Sequence, residues 1–338
     1  MKTPARLMQT DQPTARITEK NGGAELAVRQ KHEWFLASAT SDNTRRTYKS
    51  AMRHFMTWGG MLPAEQGDII RYLVSFADTL NPRTLQVRLT ALSQWHVYQG
   101  FGDPTKSAAV VKTMTGIARQ KGRPKRQAKA LPVEDLDRIA SALVSSGTLR
   151  ATRDNAMLQI GFFGCFRRSE LVGIDVRDLS WEEKGLTISL PRSKTDQTGE
   201  GIVKAIPFGE PPRCPVTALR TWLQRSGITE GAIFRAISRS GKVGTKALNP
   251  SSVNEILVAA AELAGLSYTP ELASHSLRRG LATSAYRAGA GMREIKRQGG
   301  WRHDGTVHGY IEEASRFEDN ALGALLGPHA SVSKRHQR

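Results

Sequence analysis

Four residues near the C-terminal end of the sequence could act together on a phosphodiester: His275, Arg278, Trp301 and Tyr310. The reaction is difficult because the ester is an anion and its transition state spreads further charge over the non-bridging oxygens. A planar arginine offers forked donors to those oxygens and stays charged at any working pH, and such donors commonly give the largest catalytic contribution. A phenol has a pKa of about 10, so Tyr310 needs a neighbouring base or cations in order to attack. His275 is the candidate base or phosphate donor.

A second arginine, Arg167, stands upstream with a carboxylate, Glu170, three residues after it. At this spacing Glu170 can orient the guanidinium or a nearby histidine, as support rather than as a proton carrier. Arg278 follows His275 by the same interval, which puts both on one face of a helix. Arg167 is distant in the sequence, so the tertiary fold must bring it to the site.

The chain has 338 residues and is strongly basic, with a net charge of +18 and a pI of about 10.3. A globular protein with this charge usually binds a polyanion, most commonly nucleic acid. An anionic membrane is the competing partner, but we find no run of about 18 apolar residues and no signal peptide. The two cysteines, Cys165 and Cys214, cannot form a disulfide framework or a zinc site by themselves. We interpret them as small buried residues in a reducing cytosol.

Apolar residues at three- and four-residue spacing predict a helical N-terminal domain over residues 30–121, after a flexible tail at 1–29. The opposite faces of these helices are rich in arginine. Four helices are predicted: Asn43 to Trp58, Glu65 or Asp68 to Thr79, one that begins after Pro82, and Val110 to Ala118.

A short basic stretch broken by glycine and proline, residues 122–130, predicts a linker that itself touches phosphates. The alternative is a solvated charge run. Residues 131–328 then mix helices with strand-like segments, and the polar tail covers 329–338. Strands are predicted at 186–190 and 203–207 with a turn at 196–201, and helices at 216–225, 251–264, 278–288 and 292–298.

These motifs together resemble the tyrosine recombinase (phage integrase) family, and within it the Cre-like recombinases most closely. The family pattern Arg-x-Ser-Glu-Leu selects Arg167 rather than Arg168, and His-x-x-Arg selects Arg278 rather than Arg279. Trp301 precedes Tyr310 by nine residues, which is the family spacing, and the Cre-like group carries tryptophan at that position. The resemblance covers most of the chain, and order plus spacing makes it specific where each motif alone is weak.

The resemblance implies a mainly α fold with a small β-sheet: a helical, SAM-like core-binding domain followed by a mixed α/β catalytic domain. It implies that Tyr310 attacks DNA to give a 3′-phosphotyrosine and a free 5′-hydroxyl, with neither metal nor ATP and no other cofactor. In the family a lysine on a β-hairpin turn protonates the leaving oxygen. Lys194 is that lysine here, and Lys204 is a weaker rival within the second strand; a solvated hairpin lysine is the alternative for Lys194.

The resemblance also implies double-stranded DNA with an inverted-repeat site, a homo-tetramer on two duplexes, and accessory DNA-binding proteins in some systems, but no membrane partner. We expect a cytoplasmic, nucleoid-associated protein of bacterial, plasmid or phage origin. The apolar stripe at 317–326 is predicted to dock into a neighbouring protomer, or else to pack on its own domain. The candidate DNA contacts are Arg45, Arg46, Lys49, Arg83, Arg88, Arg123, Lys125 and Arg126.

Three alternatives remain open at this point. A type IB topoisomerase-like or telomere-resolving enzyme would use the same cleavage chemistry with a different fate for the DNA ends. A DNA-binding regulator could keep the fold without cutting. A basic membrane-surface or RNA-binding protein is the third, although we find neither an amphipathic anchor nor a stacking platform for bases.

Overall fold

A computed structural model describes residues 31, 39–124, 127–190, 201–314 and 322. The chain divides into two compact units, Met1–Lys125 and Arg126–Arg338, and the boundary falls within the predicted linker. The predicted fold class, mainly α with a small β-sheet, is confirmed. In the part of the chain that is described, no helix is long and apolar enough to cross a membrane.

In the described residues of the first unit, all regular structure is helical. Local chemistry sets its helix ends: the Ser41 hydroxyl accepts from Thr44 N at 3.2 Å at the start of the first helix, and Gly59, with a φ of 106°, ends it. Phe55, Tyr72 and Leu92 are fully buried among the helices. The helices are α1 (Asp42–Trp58), α2 (Gln66–Ser75), α3 (Pro82–Tyr98) and α4 (Ala108–Lys121), with a 3₁₀ turn at Pro104–Lys106.

The second unit is built around one buried helix, Leu149–Phe163. On one side, Met157 and Ile160 lie in a cluster that contains the helix Pro215–Ser226 and the inner face of the three-stranded sheet. On the other side, Leu158 and Phe162 pack against further helices. The helices of this unit are α5 (Val133–Ser146), α6 (Leu149–Phe163), α7 (Arg168–Gly173), α8 (Pro215–Ser226), α9 (Ser252–Leu263), α10 (Ser274–Arg287), α11 (Met292–Gly299) and α12 (Asp304–Ala314), with 3₁₀ turns at Val176–Asp178 and Thr269–Glu271.

Within the residues that the structure describes, the strands form two small antiparallel sheets. The order β1-β2-β3 is made by Leu179–Glu182, Gly185–Leu190 and Ile202–Pro207, and a separate pair, β4 and β5, by Arg235–Ile237 and Val243–Ala247. The register pairs Ile188 with Lys204. The two strands predicted from sequence are thereby confirmed as β2 and β3, whereas β1, β4 and β5 were missed because each is short and lacks a clear alternation. The predicted turn at 196–201 lies mostly outside the described residues, as does the stripe at 317–326 apart from Leu322, which is exposed.

Helix α10 begins one turn earlier than the sequence predicted. The Ser276 hydroxyl accepts from Ala273 N at 3.0 Å and so satisfies an amide at the helix start. His275 consequently lies inside the first turn of α10 rather than before the helix.

Candidate active site

Arg278 is buried on α10, and its two terminal nitrogens donate to backbone carbonyls. Its Nη1 donates to the carbonyl of Cys165, and its Nη2 donates to the carbonyl of Gly299 at 3.0 Å. Its guanidinium also lies 4.9 Å from the centre of the Trp301 ring. Since the side chain is 3% exposed, these contacts replace water around the charge and fix the direction of the guanidinium.

Tyr310 on α12 lies against the first turn of α10 within the same chain. Its hydroxyl is 2.8 Å from His275 Nε2, and its ring is 5.8 Å from that of Trp301, measured between centroids. Tyr310 is 8% exposed, whereas His275 is open to solvent. The pair therefore joins a buried phenol to an accessible imidazole, which is the contact that a tyrosine nucleophile needs from a base or hydrogen-bond partner.

Burial raises the pKa of Tyr310, because it disfavours the phenolate. Arg278, Arg279 and Arg167 oppose this increase through their positive charges, while Cys165 adds to it. Three guanidinium groups thus act on the phenol electrostatically, including both arginines that the sequence selected.

Arg167 stands at the N-terminal boundary of α7 and is held by Glu170. Its Nη1 is 2.7 Å from Glu170 Oε1, and its backbone N–H donates to Glu170 Oε2 at 2.8 Å. The Glu170 side chain is 9% exposed. One carboxylate therefore holds both the main chain and the guanidinium of Arg167, which is the geometry of an orienting group.

Cys165 has a larger structural part than its sequence position indicated. Its φ of 52° places a non-glycine residue in the left-handed region. The turn that this conformation makes points its carbonyl at Arg278, and its thiol lies 3.8 Å from the Arg278 carbonyl. The sequence predicted only a small buried residue at position 165, because no local signal reveals a positive φ there.

Lys204 on β3 is buried in the same region. Its side chain is directed inward, it is 3% exposed, and its Nζ donates to the carbonyl of Gln298 at the end of α11. The pKa of Lys204 is lowered to about 8, mainly by burial; the charges of Arg278 and Arg167 contribute to the decrease, while Cys165 and Glu170 oppose it. Lys194, the predicted general acid, lies outside the described residues. In the described structure the lysine near the two arginines is Lys204, the weaker candidate from the sequence.

Trp301 follows α11 and packs closely on the end of that helix. A side chain at Gly299 would place its Cβ 1.8 Å from the Trp301 ring, so only glycine fits there. Trp301 is 8% exposed, and its ring lies near both the Arg278 guanidinium and the Tyr310 ring. The Gly-Gly-Trp motif thus fixes an indole beside the phenol.

Residues 129–316 match the phage integrase family. The chain belongs to this family and is a tyrosine recombinase. This recombinase is 36% identical over 320 residues to an integrase/recombinase XerD homolog of Selenomonas ruminantium, with 92% of each chain covered. It is 28% identical over 312 residues to the recombinase Cre of Escherichia phage P1, with 85% of this chain and 88% of Cre covered.

The fold of the recombinase is also that of solved integrases. A lambda integrase fragment, as a dimer bound to a core site, matches with a TM-score of 0.59 at 17% identity over 86% of this chain and 96% of that one. A lambda integrase tetramer bound to a Holliday junction matches with a TM-score of 0.57 at 17% identity over 88% and 79% of the two chains. At this identity the likeness extends to the fold alone.

The predicted DNA contacts of the recombinase differ in their surroundings. Arg45, Arg46, Lys49, Arg83 and Arg123 are exposed. Arg45 also pairs with Asp42 and donates to the Thr40 carbonyl at 2.7 Å, and Arg83 donates to the Arg123 carbonyl at 3.4 Å. Lys125 and Arg126 lie outside the described residues.

Arg88 is half-buried rather than outward-facing. Its Nη1 donates to the Tyr72 hydroxyl at 3.0 Å and contacts His54 Nδ1. The helical periodicity of α3 placed Arg88 on the polar face, but a polar pair on the neighbouring helices draws it inward. Its use as a DNA contact would require it to reach past this cluster.

The sequence did not assign Arg279 to the site, and it named Lys204 only as the weaker candidate for the general acid. Lys204 had a signal: it shares an inward strand face with Ile202 and Ile206, where alternation calls for an apolar residue. Arg279 had none, because the family spacing selects the residue before it.

Proposed function

We propose that this chain is a site-specific DNA recombinase that cleaves and rejoins DNA through a 3′-phosphotyrosyl intermediate on Tyr310. The observation that carries the proposal is the 2.8 Å contact between Tyr310 and His275 in one chain, beside the buried Arg278. Membership of the recombinase family supports the reaction class.

In the proposed reaction the Tyr310 oxygen forms a bond to phosphorus while the bond from phosphorus to the 5′-oxygen breaks. His275 accepts a hydrogen bond or proton from the phenol, and Arg167 and Arg278 neutralise the non-bridging oxygens. The 5′-oxygen leaves with a proton. The phosphotyrosyl ester keeps the energy of the broken bond, so a 5′-hydroxyl from the same or another strand can attack it and restore the DNA strand. The reaction therefore requires no ATP.

The source of the leaving proton is either Lys194 or Lys204. Lys204 is supported by its burial near both arginines and by its lowered pKa, since a general acid is most effective when its pKa lies near the working pH. Lys194 is supported by the family pattern. A 5′-bridging phosphorothiolate substrate separates them, because a thiolate leaves without protonation: the variant of the true acid regains cleavage on this substrate.

The proposed assembly is a tetramer on two duplexes with inverted-repeat sites, with accessory proteins as required by the site. The net charge of +18 supports DNA as the partner, and the matched structures include a tetramer bound to a Holliday junction. We propose that residues 30–121 form the core DNA-binding domain, 122–130 the linker, and 131–328 the catalytic domain with its C-terminal exchange helix. The residues proposed to position DNA are Arg45, Arg46, Lys49, Arg83, Arg88, Arg123, Lys125 and Arg126.

We further propose a cytoplasmic protein of plasmid or phage origin that integrates, excises or resolves mobile DNA. Relatives in a bacterium and in a bacterial phage support this setting.

A nicked suicide duplex tests the function. Its sequence is taken from inverted repeats beside the gene, and cleavage next to the nick releases a short strand and traps the covalent protein. The wild type should form an adduct that migrates slowly in denaturing gels, and Tyr310→Phe should form none while still binding the duplex.

Binding without an adduct at any such site would instead indicate a non-cleaving regulator. A plasmid with two sites then distinguishes the enzymes: exchange between sites supports a recombinase, whereas relaxation alone supports a type IB topoisomerase, and closed hairpin ends support a telomere resolvase.

A further inference from the structure

Arg279 is a fully buried arginine that the proposed reaction does not yet use. It is 1% exposed and stands next to Arg278 on α10. Its guanidinium lies 5.2 Å from the centre of the Tyr310 ring, and its Nη1 donates to Gln127 Oε1. Burying a guanidinium is costly unless its surroundings compensate for the lost water. The groups that Arg279 contacts therefore indicate its role.

The two adjacent arginines contact different parts of the site. Arg278 holds the Cys165 and Gly299 carbonyls and lies over Trp301. Arg279 lies over the face of Tyr310, where the ring attracts a cation. Both guanidinium groups act electrostatically on Tyr310, but Arg279 lies over its ring, whereas Arg278 lies over the ring of Trp301.

Gln127 belongs to a segment whose backbone is bound to the 3₁₀ turn Thr269–Glu271 and to the start of α10. Lys129 N donates to the Glu271 carbonyl at 3.0 Å, and Leu131 N donates to the Ser276 carbonyl at 3.1 Å. The backbone passes so closely that a Cβ at Gly280 would lie 2.0 Å from the Leu131 carbonyl oxygen. The segment thus offers Gln127 as a defined partner for the guanidinium.

We propose that Arg279 is a positioning residue for the nucleophile: held by Gln127, its guanidinium fixes the Tyr310 ring and stabilises the phenolate that attacks DNA. The inference rests on the proposed function, in which Tyr310 is the nucleophile. It extends that function to a residue outside the motif positions and to the segment at 127–131.

The charges around Tyr310 give the direction of the effect. Burial raises its pKa, and removing a cation that opposes this increase raises the pKa further. Below that pKa the attacking phenolate is scarcer, so cleavage falls, and the deficit closes as the pH rises. The groups that face Tyr310 are His275, Arg278 and Arg279 from α10, Cys165 and Arg167 from the connection between α6 and α7, and Trp301 after α11.

The experiment compares single-turnover cleavage of the nicked duplex, at saturating protein, across the pH range for Arg279→Leu, Arg279→Lys and Gln127→Ala. Arg287→Leu is the matched control, since it makes the same change at an exposed position of α10. We expect Arg279→Leu to cleave about tenfold more slowly at neutral pH, with the deficit shrinking at alkaline pH. Arg279→Lys should recover most of the rate, Gln127→Ala should show a smaller shift of the same sign, and Arg287→Leu should match the wild type.

The proposal is overturned if the loss of cleavage rate in Arg279→Leu is equal at every pH, or if Arg279→Lys is as slow as Arg279→Leu. Arg279 would then have a packing role only. If Arg279→Leu does not fold, Gln127→Ala and Arg279→Lys decide: an unchanged pH profile in the former overturns it.

A second readout does not need DNA. The ultraviolet difference absorbance of tyrosinate between each protein and its Tyr310→Phe counterpart reports the ionisation of Tyr310. It should move to higher pH in Arg279→Leu, and no movement overturns the inference. Absence of an adduct in the wild type would count against the proposed function instead, so the two failures are distinguishable.

Discussion

Replacing Lys204 with methionine should stabilise the protein at neutral pH while slowing DNA cleavage. Methionine is close to lysine in length and fills an inward strand position without charge. In the folded state Lys204 is 3% exposed, and its ammonium donates to the Gln298 carbonyl at the end of α11, the helix that leads into Trp301. The substitution therefore removes a buried charge together with an anchor of the site.

The magnitude follows from the pKa. The surroundings of Lys204, mainly its burial, lower its pKa from the usual 10.5 to about 8. At about 1.4 kcal/mol per pKa unit, the ammonium costs the folded state about 3 kcal/mol. Loss of the hydrogen bond to the Gln298 carbonyl offsets about 1–2 kcal/mol of this. Lys204→Met should thus gain about 1–2 kcal/mol in the free energy of unfolding at neutral pH.

The gain should depend on pH in a defined way. Because the folded pKa lies below the unfolded one, the penalty is complete below pH 8, and wild-type stability rises between pH 8 and 10.5 as the folded state loses its proton first. The methionine variant lacks this rise, so its advantage should fade across that window and become a deficit once both wild-type states are neutral.

Urea denaturation at neutral and alkaline pH measures the difference, with Lys246→Met, an exposed lysine on β5, as the control. Cleavage of the nicked duplex, measured on the same samples, should be reduced in Lys204→Met and normal in the control. A variant that is less stable than the wild type by the same amount at both pH values would show that the ammonium is not penalised in the folded state, and the reasoning would fail.

Four further outcomes follow from the contacts. His275→Ala should slow cleavage by about a hundredfold in the nicked-duplex assay while DNA binding, measured by fluorescence anisotropy, is unchanged. Arg278→Lys should slow it by about a hundredfold or more, because an ammonium cannot span two carbonyls as the fork does; a rate near that of the wild type would contradict the geometry. Glu170→Gln should slow cleavage by about tenfold, because Arg167 loses the carboxylate that orients it. High salt should not slow cleavage by the wild type in the same way, since the role of Glu170 is to orient a side chain. Gly280→Ala should lower the free energy of unfolding by about 2 kcal/mol or more in urea, because its Cβ would meet the Leu131 carbonyl at 2.0 Å.

Much of the fold was predictable because its signals are local. The spacing of Phe55 and its neighbours predicted α1, and alternation predicted β2 and β3, since both depend on residues within one segment. The placement of His275 and Arg278 on one helical face also follows from a three-residue spacing. The start of α10 was predicted one turn too late. The hydrogen bond from Ala273 N to the Ser276 hydroxyl marks the true start, but a serine at that position is only a weak sequence signal for a helix start.

The site depends on contacts that no local pattern encodes. The approach of Tyr310 to His275 depends on how α12 packs on α10, and the conformation of Cys165 depends on the turn that carries its carbonyl to Arg278. Arg88 shows the same limit in the first unit, where His54 and Tyr72 draw in a side chain that periodicity had assigned to solvent.

The sequence alone determined the family pattern, the helical and strand segments, and the residue types suited to phosphodiester chemistry, because these are written in composition and short spacings. Only the tertiary structure decided which charges act on the phenol. It buried Lys204 and Arg279 beside the motif residues, and burial in a medium of low polarity, which depends on every packed neighbour at once, sets the cost of a charge and the strength of its field.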